Sequence, residues 1–185
     1  MFMMNAKAVL KSYAESGLDV NKVFTLTNEK LCEGNDAGMF VTAWMGFLNT
    51  ETGEVTFANA GHNPPLVRHA DGSFEYLKVR AGFVLAGMEG VKYRKNELQL
   101  APGDVIYLYT DGVTEATNIN DELYGEDRLL ALLNANKEAS MEELCKLVKE
   151  DVFAFAGEAP QFDDITMLAL KYCGATAPTN QEEAL

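Results

Sequence analysis

Three short segments carry the residues best suited to chemistry. The first is Tyr107-Leu108-Tyr109-Thr110-Asp111-Gly112-Val113-Thr114-Glu115-Ala116, an apolar run that ends in an aspartate and a glycine. A strand end holds a carboxylate still, a glycine lets the backbone turn sharply beside it, and such a carboxylate suits a hard cation such as Mg²⁺ or Mn²⁺. A plain strand-to-turn transition uses the same two residues. The second segment, Gln161-Phe162-Asp163-Asp164-Ile165-Thr166-Met167-Leu168, opens an apolar strand with adjacent carboxylates. Each disfavours ionisation of the other, a conflict that a nearby cation removes and that solvent exposure also relieves. The third is Asn59-Ala60-Gly61-His62-Asn63-Pro64-Pro65, an abrupt turn with His62 at its apex. His62 can titrate near neutral pH or hydrogen-bond a phosphate, while a structural turn histidine is the simpler reading. His69 has no such setting and receives no role.

The elements that must position these residues follow from periodicity. Residues 2–16 and 19–33 read as helices, the second with Asp19 as its candidate cap. Residues 39–48 are dense in aromatic and β-branched side chains, and 54–60 alternate, so the two form a hairpin across Glu51-Thr52-Gly53. A second hairpin joins 66–69 to 74–77 across Asp71-Gly72. Residues 92–100 and 104–110 are further strands, separated by Pro102-Gly103, a pair suited to a type II turn. Helices follow at 126–134 and 140–155, the latter opening with the capping box Ser140-Met141-Glu142-Glu143. A last strand runs over 162–172, and Trp44 is expected in the core. Strands and helices are segregated, which predicts an α+β fold with mainly antiparallel sheet. No phosphate-cradling glycine loop of the GxGxxG or GxxxxGK[ST] kind is present.

Composition bounds the function. The chain has 185 residues, 48% of them apolar, with 28 acidic and 15 basic side chains for a net charge of -13. Nucleic acid and anionic membranes repel such a chain. Cys32, Cys145 and Cys173 form no CxxC pair, so neither a zinc site nor a disulfide framework is expected and a cytoplasmic setting follows. No apolar run reaches the length of a membrane span, and the N-terminal residues lack the pattern of a signal peptide. The residues from 173 to 185 are poor in apolar side chains and read as a disordered tail.

Taken together, "FVTAWMGFLNTETGEVTFANAGHNPPLV", "LAPGDVIYLYTDGVTEATN" and "FDDITMLAL" resemble, in order and spacing, the SpoIIE/RsbU branch of PPM-type serine/threonine phosphatases. "MFMMNAKAVLKSYA" resembles the helix that follows that family's glycine-rich signature. The resemblance spans residues 1–172. It implies an α-β-β-α sandwich of two mainly antiparallel sheets flanked by helices, and hydrolysis of protein phosphoserine or phosphothreonine with two Mn²⁺ or Mg²⁺ ions. By position, Asp111 and Asp163 match catalytic metal ligands. Gly112 and Asp164 complete the metal-binding segments, Asp164 as a neighbour. His62 stands where other branches carry an accessory-metal aspartate, and its identity puts that third site in doubt. The implied partner is a phosphorylated signalling protein such as an anti-anti-sigma factor. The family's metal-bridging aspartate lies in a D-x-x-G-[HK]-G motif that this sequence does not contain. The chain is therefore expected to be an N-terminally incomplete domain, whose open strand edges would favour a homodimer. A non-catalytic interaction module is the alternative function.

Overall fold

In the computed structural model, which describes residues 2–70, 72–161 and 163–175, the elements run α1 (Phe2–Ala14), α2 (Val20–Cys32), β1 (Ala43–Leu48), β2 (Glu54–Ala60), β3 (Leu66–Arg68), β4 (Phe74–Tyr76), β5 (Asn96–Gln99), β6 (Val105–Tyr109), α3 (Asp111–Thr114), α4 (Glu126–Ala135), α5 (Met141–Ala156) and β7 (Met167–Lys171). The α+β class with two antiparallel sheets and their helices is as the sequence predicts. The tail beyond residue 175, Asp71 and Phe162 lie outside the described residues. Contacts group the chain into two compact units.

The first unit comprises residues 2–49, 54–62 and 79–99. Its sheet has the order β1-β2-β5, with Ala43 opposite Ala60 and Leu48 opposite Val55 in the hairpin. The apolar faces of α1 and α2 meet this sheet in a core that includes Ala6, Val20, Phe24, Leu31, Ala58 and Leu85. Phe24 stands edge-on to Tyr93 at 5.5 Å. Trp44 is half-buried rather than enclosed, stacked on Phe57 at 5.4 Å. Asp19 occupies the cap position of α2, yet its side chain makes no cap hydrogen bond; its backbone carbonyl accepts from Lys22 and Val23 instead. Asn28, wholly buried within α2, accepts from the Ala86 N–H and the Tyr93 hydroxyl and donates to the Met88 carbonyl. One side chain thus anchors the 84–88 loop to the helix.

Two strands of this unit are shorter than periodicity suggests. Residues 39–42 contribute only a bridge from Val41 to Leu85. The ladder of β5 on β2 stops at Asn96 opposite Phe57, because beyond it the Asn59 carbonyl accepts the Gly82 N–H at 2.8 Å. The 80–82 segment therefore occupies the edge that residues 92–95 would need.

The second unit comprises 50–53, 63–78 and 100–175. Its sheet has the order β4-β3-β6-β7, all antiparallel. β6 is central and nearly all buried, with Val105, Tyr107 and Tyr109 in the core. α4 supplies Leu129 and Leu133 to this core, and α5 supplies Leu144, Val148 and Val152 at helical spacing. Each such side chain contributes about 1.5–3 kcal/mol on burial. The cap of α5 forms as the sequence predicts, the Ser140 hydroxyl accepting from the Glu143 N–H at 3.2 Å. The Pro102-Gly103 turn also forms, with Gly103 at φ 98° and the Asp104 N–H donating to Ala101.

Candidate functional site

β6 delivers Asp111 to the end of the central strand of its sheet, half-buried. The chain does not simply turn there. Asp111 starts the one-turn helix α3, and Gly112 and Val113 sink into the protein. The Asp111 carboxylate accepts the Gly112 N–H at 3.0 Å.

The residues 163–166, expected as strand, cross this helix start as irregular chain before β7 begins at Met167. Thr110 locks the two segments together. Its hydroxyl donates to the Asp164 carbonyl at 2.9 Å and accepts the Thr166 N–H at 2.9 Å, while its own N–H donates to the Thr166 carbonyl at 3.0 Å. The approach is so close that a Cβ on Gly112 would lie 2.5 Å from the Asp164 carbonyl oxygen and 3.2 Å from that of Asp163. Glycine is therefore required at 112 by a neighbouring backbone, not by an unusual turn angle. Gln161 braces the same crossing, donating to the Asp163 carbonyl at 2.8 Å. The Asp163 carboxylate accepts the Asp164 N–H at 2.6 Å. Asp163 and Asp164 are both exposed.

Asp111, Asp163 and Asp164 are thus carried by two segments in backbone contact. None of them forms an ion pair with a lysine or arginine among the described residues. Carboxylate oxygens of this kind suit a hard divalent cation. No three His, Cys, Asp or Glu residues converge as a cation site among the described residues. Beside Gly112 opens a cleft of about 210 Å³ lined by Ala116, Val152, Phe153, Gln161 and Ile165.

His62 belongs to the other unit. Asn59 clamps its backbone, accepting the His62 N–H at 2.8 Å and donating to its carbonyl at 2.9 Å. The His62 Nδ1 lies 3.2 Å from the Thr42 hydroxyl. The turn needs Gly61, which has φ 72° and faces Val84 so closely that a Cβ would meet its Cγ1 at 2.8 Å. His69 has a partner the sequence did not suggest: Asp104, at 2.9 Å. Burial opposes ionisation of Asp104, but hydrogen bonds from the Ala101 N–H, His69 and the Ala70 N–H outweigh it and hold the carboxyl below its ordinary range.

Thr110, Thr166 and Gln161 had no assigned place in the sequence reading. The one available signal was a threonine in each of the two aspartate segments, T-D-G and D-D-I-T.

The fold these elements build is that of PP2C-type phosphatase domains. The SiaA-PP2C domain of Pseudomonas aeruginosa matches with a TM-score of 0.77 and 24% identity, over 92% of this chain and 68% of that one. Residues 1–172 match the family model for stage II sporulation protein E, and the chain belongs to the SpoIIE family. Among its relatives, protein IcfG of Synechocystis is 34% identical over 146 residues, 78% of this chain and 23% of IcfG. Phosphoserine phosphatase RsbU of Bacillus subtilis is 28% identical over 170 residues, 91% of this chain and 50% of RsbU. The chain spans half or less of the length of these two relatives. No helix among the described residues is long and apolar enough to cross a membrane.

Proposed function

We propose that this chain is a metal-dependent protein phosphatase domain acting on phosphoserine or phosphothreonine in a bacterial signalling protein, such as an anti-anti-sigma factor. The observation that carries the reading is the interlock of Thr110 and Gly112 with residues 163–166, which ties the T-D-G and D-D-I-T segments into one rigid unit. Membership of the SpoIIE family and the naming of RsbU as a phosphoserine phosphatase support it. Asp111 and Asp163 would hold the Mn²⁺ or Mg²⁺, with Asp164 and the Gly112 backbone shaping the shell around it. A divalent ion so held lowers the pKa of bound water and offsets charge on phosphoryl oxygens. The chain's own contribution is positional: the Thr110 clamp fixes where the carboxylates start, and the cleft at Val152 and Phe153 gives an apolar residue next to the phosphoserine somewhere to rest. The three free cysteines take no part, and they suit a cytoplasmic setting. Self-association through β7, an outer strand of its sheet on which Leu168 is exposed, belongs to the same reading.

The test is Mn²⁺-dependent hydrolysis of an aryl phosphate, with Mn²⁺ binding measured alongside. Asp111→Asn should lose turnover and weaken Mn²⁺ binding by roughly tenfold or more, with the thermal midpoint nearly unchanged. A folded wild-type chain that neither binds Mn²⁺ nor hydrolyses the ester would overturn the proposal and leave the interaction-module reading.

A further inference from the structure

The first unit contains a polar pocket of about 210 Å³ lined by three cationic residues, Arg80, Lys92 and Arg94, together with Asn59, Gly82 and Asn96. Two backbone segments build it. Residues 92–96 alternate: Lys92, Arg94 and Asn96 line the pocket, Tyr93 is buried in the core, and Lys95 lies near Asp19 and Glu97 at 4.0 and 3.6 Å. Across from them, Arg80 is held by the attachment of Gly82 to β2. The Gly82 N–H donates to the Asn59 carbonyl at 2.8 Å, and Gly82 bridges to Ala60. A Cβ at 82 would lie 2.9 Å from the Asn59 oxygen and 3.1 Å from the Tyr93 ring, so only glycine permits this approach. The pocket wall is accordingly fixed, although its cationic tips are exposed.

The charge pattern is the informative feature. Acidic residues outnumber basic ones 28 to 15, so a lysine or arginine is surrounded by potential partners. Yet no carboxylate lines this pocket, and none of Arg80, Lys92 and Arg94 forms an ion pair or side-chain hydrogen bond among the described residues. Three like charges around one pocket disfavour one another, and a bound anion offsets that cost. Two guanidinium forks and an ammonium match the oxygens of a tetrahedral oxyanion. Nucleic acid is disfavoured by the overall charge.

We propose that the Arg80–Lys92–Arg94 pocket, whose lining includes none of the three aspartates, is a binding site for a phosphate group. This does not depend on the phosphatase reading. The phosphate can be inorganic phosphate or the phosphoryl group of a phosphoserine peptide, and the two sources are separable.

The experiment titrates the full chain with inorganic phosphate in EDTA, so that no metal links the anion to the aspartates, and follows backbone amides by NMR. Saturable shifts at 79–82 and 92–96 are expected, weakening as salt rises. The double variant Arg80→Gln/Arg94→Gln should bind about tenfold more weakly or worse. Lys92→Glu, on an exposed side chain, should weaken binding independently, and the unchanged amide pattern elsewhere reports that both variants are folded. A phosphoserine peptide that outcompetes inorganic phosphate, beside an unphosphorylated control that does not bind, identifies a partner's phosphoryl group. Saturation by inorganic phosphate with no gain from the peptide identifies the free anion. Shifts that never saturate in either arm, or binding unchanged in both variants, would overturn the proposal.

Discussion

Replacing Gly112 by alanine sets two effects against each other. Gly112 is the second residue of α3, where alanine would ordinarily be favoured by about 1 kcal/mol. The added methyl, however, would meet the Asp164 carbonyl oxygen at 2.5 Å and its carbon at 2.9 Å. Both are main-chain atoms, and no side-chain rotation relieves the contact. Residues 163–164 must retreat by about half an ångström before the contact reaches the closest range real structures show. That retreat stretches the Thr110–Asp164 hydrogen bond from 2.9 Å toward the limit of useful hydrogen bonding. Overpacking costs about 1–3 kcal/mol and a weakened hydrogen bond about 1 kcal/mol more. Together they exceed the helix gain, so the net loss should be about 1–3 kcal/mol. Urea unfolding followed by far-UV circular dichroism measures it, and Mn²⁺ titration reports whether the displaced aspartates bind more weakly. A Gly112→Ala chain as stable as wild type, with unaltered Mn²⁺ affinity, would refute the claim that backbone contact fixes the site.

The remaining predictions concern the supports of each unit. Asp104→Ala should cost about 1–2 kcal/mol in chemical denaturation, because it removes the buried acceptor of the Ala70 and Ala101 N–H groups, which are themselves near the surface and can turn to water. The Asp104 carboxyl is held below its ordinary value, so its contribution is fully present above the unfolded value of about 3.9 and is lost as pH falls through the lower folded value. Wild type and Asp104→Asn should therefore converge in stability in that acid window and differ most near neutrality. Asn28→Ala should lower stability by about 2–4 kcal/mol, since it leaves the Ala86 N–H and the Met88 carbonyl without their buried partner; protection of the Ala86 amide from hydrogen exchange is the direct readout. Arg128 binds Asp151 through two hydrogen bonds of 2.8 and 2.9 Å and lies over the rings of Tyr124 and Phe155. Arg128→Lys loses the fork and the stacking together, and should cost about 1 kcal/mol in a thermal melt, with only part of the loss sensitive to salt.

How much of this was legible depended on how far apart the partners lie in sequence. The β1–β2 hairpin and the Ser140 cap were readable because everything that decides them lies within a few residues: alternation, a turn, and a hydroxyl three positions before its N–H donor. Strand lengths were overestimated where a distant segment intervenes, as when Gly82 takes the Asn59 carbonyl and cuts β5 short. Asp19 was legible as a position and not as an interaction. Aspartate-glycine at 111–112 is equally good as a turn, and only the burial of Val113 in the core shared with α4 and α5 decides for a helix. Asn28 and Asp104 were invisible because partners come from elsewhere in the chain: for Asn28 from 58 and 60 residues away, and for Asp104, beside the nearby Ala101 N–H, from His69 and Ala70, 35 and 34 residues back.

The candidate site shows the same division in a form that bears on function. The aspartates themselves stood out by type and spacing, but a carboxylate at a strand end is not yet a site; it must be held still against a second segment. Thr110 supplies that restraint by using its hydroxyl as donor and acceptor at once, 54 and 56 residues from its partners. Serine could keep both bonds, whereas valine, of the same shape, could keep neither. The aspartate carboxylates spend their own capacity differently. Asp111 and Asp163 each accept only the N–H of the next residue, which leaves most of their lone pairs unused by the described residues. Rigid backbone beneath acceptors that are still open is the arrangement a divalent cation requires, because the cation then pays no ordering cost for the chain and gains every oxygen it meets. The threonine clamp thus holds the two acidic segments against one another.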